Sequence, residues 1–110
     1  MTIQHTHLFL ASCPDWAHAD GTAPIRVHLA LTPVDADGGF WAARGTTRHD
    51  NRKAGQAVHV KRDRQNNLKR DTTFVTTREG LVYVNASDVR RITGQIDERS
   101  FNSIWDQIER

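Results

Sequence analysis

A chain of 110 residues with 37% hydrophobic and 25% charged residues has material for one modest core and not two, so a single domain spanning 1–110 is expected. No apolar run approaches the length of a membrane-crossing helix, and the opening Met-Thr-Ile-Gln-His-Thr-His lacks the basic and apolar regions of a signal peptide. The net charge of +2 conceals a polarised chain: nine of the fifteen basic residues lie between Arg44 and Arg70, where only Asp50 and Asp63 oppose them.

In chain order, residues 3–11 read as a first strand, rich in side chains that suit a pleated surface. Residues 12–24 carry turn formers throughout and read as a loop. The clearest strand signal follows at 25–32, with Ile25, Val27, Leu29 and Leu31 on one face and Arg26, His28, Ala30 and Thr32 on the other. The turn Asp35-Ala-Asp-Gly-Gly39 leads back into a strand over 40–44, completing an antiparallel hairpin in which Trp41 is expected to pack in the core. Residues 45–55 read as a loop. A fourth strand spans 56–62, with Val58 and Val60 inward and His59 and Lys61 outward. Strands at 72–78 and 81–86 are expected to pair with one another across a tight Glu79-Gly80 turn, where glycine accommodates a positive φ. Ser87 to Ile92 reads as a helical turn capped by Ser87. Phe101, Ile104, Trp105 and Ile108 recur at helical spacing, so the chain ends in a helix begun by either Asp97 or Ser100. The expected fold is mainly β (α+β): a small, strongly bent sheet or SH3-like barrel of five to six strands with a C-terminal helix.

The basic block carries +7, against −3 for residues 1–43 and −2 for 71–110. Its cations are Arg44, Arg48, Arg52, Lys53, Lys61, Arg62, Arg64, Lys69 and Arg70. A concentration of one sign attracts polyanions and speeds their encounter, which makes nucleic acid the first partner to consider; the plain alternative is a solvated loop. One cysteine, Cys13, leaves no internal disulfide and points to a reducing compartment, the cytoplasm.

Phosphate-cradling glycine loops are absent, which removes P-loop and Rossmann enzymes. His5, His7, Cys13 and His18 are metal-ligating types, but their spacing matches no closed zinc motif, and neither a metal nor a cofactor is expected. Cys13 is followed by Pro14 and Asp15, a setting that opposes thiolate formation. Ala42 to His49 is richer: a strand end delivers Arg44, Gly45 admits a ligand to the backbone, and Thr46 and Thr47 add hydroxyls. That set suits a phosphate, and beside an RNA 2′-hydroxyl it suits metal-free cleavage; the alternative is a strand end whose threonines bond their own turn. Trp16 lies in a loop, where its ring is available to an unpaired base.

These segments together resemble the MazF/PemK-type toxins, small endoribonucleases of toxin–antitoxin pairs. Ala23-Pro24-Ile25-Arg26-Val27-His28-Leu29-Ala30-Leu31 resembles the family's apolar strand after its proline, and Arg44-Gly45-Thr46-Thr47 its hydroxyl-bearing strand end. Asn67-Leu68-Lys69-Arg70-Asp71-Thr72 and the run from Ser87 to the final helix are similar to the family's closing pattern. The resemblance implies a barrel-like sheet, a homodimer, single-stranded RNA as substrate, an antitoxin peptide as partner, and hydrolysis through the RNA's own 2′-hydroxyl. It implies Arg26, Thr46 and Thr47 as catalytic residues, Arg26 stabilising the phosphorane and the threonines positioning phosphate. Two departures stand out. Ala23 occupies the family's basic position before the proline, and the Gly-Asp-Ile/Val opening of the first strand is missing. A non-catalytic module on the same scaffold, a regulator or a phage- or plasmid-encoded inhibitor that engages nucleic acid or a nucleic-acid enzyme through residues 44–70, is the competing expectation.

Overall fold

The strand signals of the sequence converge on one antiparallel sheet. In a computed structural model that describes residues 3–14, 17, 19–47 and 56–109, the strands are β1 (His7–Ser12), β2 (Ile25–Ala30), β3 (Gly39–Thr46), β4 (Ala57–Val60), β5 (Thr72–Val75), β6 (Leu81–Asn85) and β7 (Arg91–Gln95). One helix, α1 (Glu98–Glu109), follows. The strand order is β4-β5-β3-β2-β1-β7, with β6 joined to β3 off that path. All pairings are antiparallel, and the sheet does not close into a barrel. The fold is thus mainly β with a C-terminal helix as expected, but open and with seven strands rather than five to six.

β3 is the spine. β2 pairs with one edge, through His28 opposite Arg44 and Ala30 opposite Ala42. The other edge is shared: β6 pairs with Gly39–Ala43 and β5 with Gly45 and Thr46. The expected hairpin across Glu79-Gly80 is therefore replaced by something else. β5 and β6 do not pair with one another; they lie end to end along β3, and Thr76–Gly80 bulges out between them, opposite Arg44. A 3-10 turn over Arg78–Gly80 shapes that bulge, and the Arg44 guanidinium donates to the Glu79 carbonyl at 3.5 Å.

Residues 87–92 also differ from expectation. A 3-10 turn spans Ala86–Asp88, capped by Asn85, whose side chain accepts from the Ser87 N–H at 3.2 Å. Beyond it the chain enters β7, pairing Phe9 with Ile92 and His7 with Gln95 across a bulge at Leu8/Phe9. The five-residue stretch Arg-Ile-Thr-Gly-Gln is short and carries a glycine, so its strand character comes from pairing with β1 rather than from propensity.

The β2 alternation holds, but both faces are covered. Leu8, Leu29, Leu31 and Ala43 face a core closed by Val60, Phe74, Ile96 and the α1 stripe of Phe101, Ile104, Trp105 and Ile108. The opposite face buries Phe9, Ala11, Ala30, Phe40 and Ala42 beneath Val84 and Val89. His28, on the face opposite Leu29 as expected, is 1% exposed, whereas Trp41, expected in the core, is 49% exposed. Asp97 starts α1: its carboxylate accepts from the Ser100 N–H at 3.0 Å and the Ser100 hydroxyl at 2.8 Å. Among the described residues no helix is long and apolar enough to cross a membrane.

Candidate nucleic-acid interface

The connection from β4 to β5, residues 61–71, is polar and would be a floppy loop if its backbone were unsatisfied. Asn66 prevents that. Its side chain is 1% exposed; Oδ1 accepts from the N–H groups of Asp63 (2.9 Å) and Leu68 (3.1 Å), and Nδ2 donates to the Lys61 carbonyl at 2.8 Å. Asp63 returns the bond by accepting from the Asn66 N–H at 2.7 Å. Asn67 follows in the left-handed region at φ 52°, a conformation asparagine tolerates, and its Nδ2 donates to the Thr93 carbonyl at 3.1 Å. The Gln95 N–H donates to the Gln65 carbonyl at 3.1 Å. Gly94 makes this docking sterically feasible, because a Cβ there would overlap the Asn66 backbone. The connection is clamped against β7.

Between this clamped connection and the sheet lies a groove of about 450 Å³. Leu10, Val27 and Leu68 give it apolar lining, Thr47, Thr72 and Thr93 give hydroxyls, and Lys69, Arg70 and Arg91 give cations. Lys69, Arg70 and Arg91 are all exposed. No His, Asp or Glu lines it among the described residues. The Thr72 and Thr93 hydroxyls donate to the Arg70 and Leu8 carbonyls, at 3.0 and 3.4 Å, while Thr47 is exposed. An apolar bed with three cations binds a phosphate-linked chain through charge and a base or sugar through contact area.

Of the site residues expected from the sequence, Thr47, Lys69 and Arg70 meet in this groove. Lys61, Arg62 and Arg64 are exposed on the same connection; Arg62 donates its Nη1 to the Lys69 carbonyl at 3.3 Å and its backbone N–H to Asp71 at 2.9 Å. Arg48, Arg52 and Lys53 lie outside the described residues. Arg26 and Arg44 go elsewhere. Alternation from the pairs Ala11/Arg26 and His28/Arg44 sets both on the face opposite Leu10 and Val27. Arg44 is 3% exposed and Thr46 7%, the latter paired with Thr73 in the sheet. Gly45, expected to admit a ligand, is needed by the sheet instead: a Cβ would come within 2.8 Å of both the Val27 carbonyl oxygen and Thr72 Cγ2.

Arg91 was missed by sequence reasoning because it lies outside the basic block. The only signal was its neighbour: in Arg90-Arg91, alternation must send the two side chains to opposite faces once the segment is a strand. Arg90 indeed lines a second cavity, of about 700 Å³, on the other side of the sheet with His28, Arg44, Ser87 and Asp88.

At the sheet-side edge of that cavity the buried Cys13 thiol lies 3.3 Å from His28 Nε2. His28 Nδ1 is 2.9 Å from the Arg26 carbonyl, which can only accept, so Nδ1 carries the hydrogen and Nε2 accepts from the thiol. Burial, and secondarily the Arg44 charge, push His28 down to about 4. The neutral ring accepts the hydrogen of a fully buried thiol, and the pair is a structural hydrogen bond. Among the described residues no His, Cys, Asp and Glu side chains gather to hold a metal ion, and His18, like Trp16, lies outside them. His5 packs on Phe101 with ring centroids 5.5 Å apart, and His7 Nδ1 accepts from the Gln4 N–H at 3.1 Å.

No family model matches this chain, and no curated protein matches it either. The functional reading therefore stands on the groove.

Proposed function

We propose that this protein binds single-stranded RNA in the groove of Thr47, Lys69, Arg70 and Arg91, as a non-catalytic binding module. The observation that carries the reading is the convergence of three exposed cations and the exposed Thr47 over an apolar bed, beside a connection held in place by Asn66. Cations on a preformed wall hold phosphates without first having to be ordered, so less of the attraction is lost to entropy. The apolar bed favours an unpaired strand, whose bases are free to leave their stack and lie against it, over a duplex.

Cleavage through the 2′-hydroxyl is the second reading, favoured by the presence of Thr47 beside the three cations. Cations and hydroxyls stabilise a phosphorane, but the 2′-oxygen still needs a group to take its proton. The described lining offers neither imidazole nor carboxylate, and Arg26 and Thr46 do not share the groove. Binding without turnover is accordingly the reading put forward.

The deciding experiment incubates the purified protein with a fluorescent pool of mixed single-stranded RNA, with and without chelator, and follows anisotropy and strand length together. Salt-sensitive binding with intact RNA is expected. Chelator-resistant cleavage that Thr47→Ala abolishes would transfer the assignment to the second reading. Absence of any binding at low salt would remove both.

A further inference from the structure

Far from the groove, the largest exposed aromatic rings of the sheet stand together. Trp41 on β3 and Tyr83 on β6 are directly paired across the strands, 49% and 43% exposed, with ring centroids 5.5 Å apart and an interplanar angle of 67°. They are about 20 Å along β3 from Thr47, taking roughly 3.3 Å per residue. Isolated exposed apolar residues are ordinary, but an edge-to-face pair held in place is not.

The pair is held by its surroundings. The Tyr83 hydroxyl donates to Asp35 Oδ2 at 2.6 Å. Its ring lies over Gly39, where any side chain would collide with it. Asp35 is itself fixed, since Oδ1 accepts from the N–H groups of Asp37 (2.9 Å) and Gly39 (3.2 Å). These bonds hold its carboxyl below the ordinary range, while Asp35 and Asp37 together raise the Tyr83 phenol to about 12. Two carboxylates therefore bear on the rim of an aromatic corner, in a segment whose net charge is −3 over residues 1–43.

We propose that Trp41 and Tyr83, flanked by Asp35 and Asp37, form a docking corner for an arginine side chain of a protein partner. A guanidinium is planar and weakly hydrated, so it stacks on an indole face while its N–H fork reaches a carboxylate. Lysine offers a strongly hydrated point charge with no plane to stack. A nucleic acid is disfavoured here because the same carboxylates repel phosphate. The corner is independent of the RNA groove and does not depend on that reading.

The test follows the Trp41 indole Nε1–H resonance, assigned with Trp41→Phe, as capped Gly-Arg-Gly is added to the intact protein. A saturable shift is expected with the arginine peptide and none with the isosteric, uncharged Gly-citrulline-Gly. Asp37→Asn, at an exposed position in the turn, is expected to weaken the arginine peptide by roughly tenfold, a modest part of any binding energy. An equal response to the citrulline peptide, or no saturable response to either, overturns the proposal. So does movement of the resonance with protein concentration alone, which would assign the corner to a second copy of the chain.

Discussion

The Cys13 thiol donates to His28 Nε2 across 3.3 Å while the far side of the same ring donates to the Arg26 carbonyl at 2.9 Å, so one buried imidazole bridges the loop after β1 to the backbone of β2. His28 also stacks on Phe9, with ring centroids 5.2 Å apart and an interplanar angle of 18°. Of these contacts, the bond accepted from the thiol requires the neutral ring, and burial disfavours the charged one. In the unfolded chain the imidazole protonates near its usual 6.5, whereas in the fold it resists until about 4. Between those values the unfolded state binds more protons, so stability falls as pH drops through the window, by about 3 kcal/mol in total. Urea midpoints between pH 7 and pH 4 measure this. His28→Gln is expected to start less stable and to flatten that part of the profile; a wild-type midpoint that does not move through the window contradicts the burial argument.

Gly45 is a packing residue in this fold. Alanine there places a methyl against the Val27 carbonyl and Thr72, and backbone oxygen cannot yield as a flexible side-chain tip can. Gly45→Ala is expected to lower stability by about 1–3 kcal/mol, the usual cost of overpacking. Chemical denaturation checks it. RNA binding per folded molecule should survive, because Thr47 and the cations keep their places on the native scaffold.

What the sequence made legible was whatever depends on local period. The β2 alternation, the β2–β3 hairpin and the α1 stripe follow from side-chain spacing alone, and they stand where expected. What it hid depends on partners distant in the chain. β5 and β6 look like a hairpin because they are adjacent and separated by glycine, yet each has more to gain along β3, whose length accommodates both. Trp41 was assigned to the core by its apolar character, but its cross-strand partner Tyr83 is drawn outward by Asp35. The groove was half legible: Lys69 and Arg70 belong to an obvious charge run, while Arg91 enters only through the β1–β7 register. Arg44 belonged to the same run and faces away, because strand alternation is indifferent to charge.

Asn66 carries the groove wall. Asn66→Ala removes one acceptor shared by two backbone N–H groups and one donor to the Lys61 carbonyl, in a position with almost no access to water. Leaving such groups unsatisfied costs about 1–3 kcal/mol each and is rarely additive, so a loss of about 3 kcal/mol is expected. Amide exchange should accelerate first at Asp63 and Leu68, with β2 unaffected, if the wall opens locally before the sheet unfolds.

The helix cap offers a second test that depends on pH. Bonds from the Ser100 N–H and hydroxyl hold the Asp97 carboxyl below its usual range, so its contribution is present at neutral pH and disappears as pH falls through that lowered value. Asp97→Ala is expected to cost about 1 kcal/mol at pH 7. At strongly acidic pH the variant and the wild type should converge, since the carboxylate is then protonated in both states of the wild-type chain.

Arg91 distinguishes a defined groove from a diffuse basic surface. If phosphates sit between Lys69, Arg70 and Arg91, then Arg91→Ala removes one phosphate contact although it lies outside the charge-dense stretch of the sequence. For a single strand each such contact contributes about 0.7 to the slope of log K against log salt, so that slope should become shallower by about this amount. Arg78→Ala, which removes an exposed cation on the Thr76–Gly80 bulge, serves as the comparison and should leave the slope close to wild type. Equal effects from the two substitutions would mean that RNA responds to total charge alone, and the groove would lose its claim to be the site.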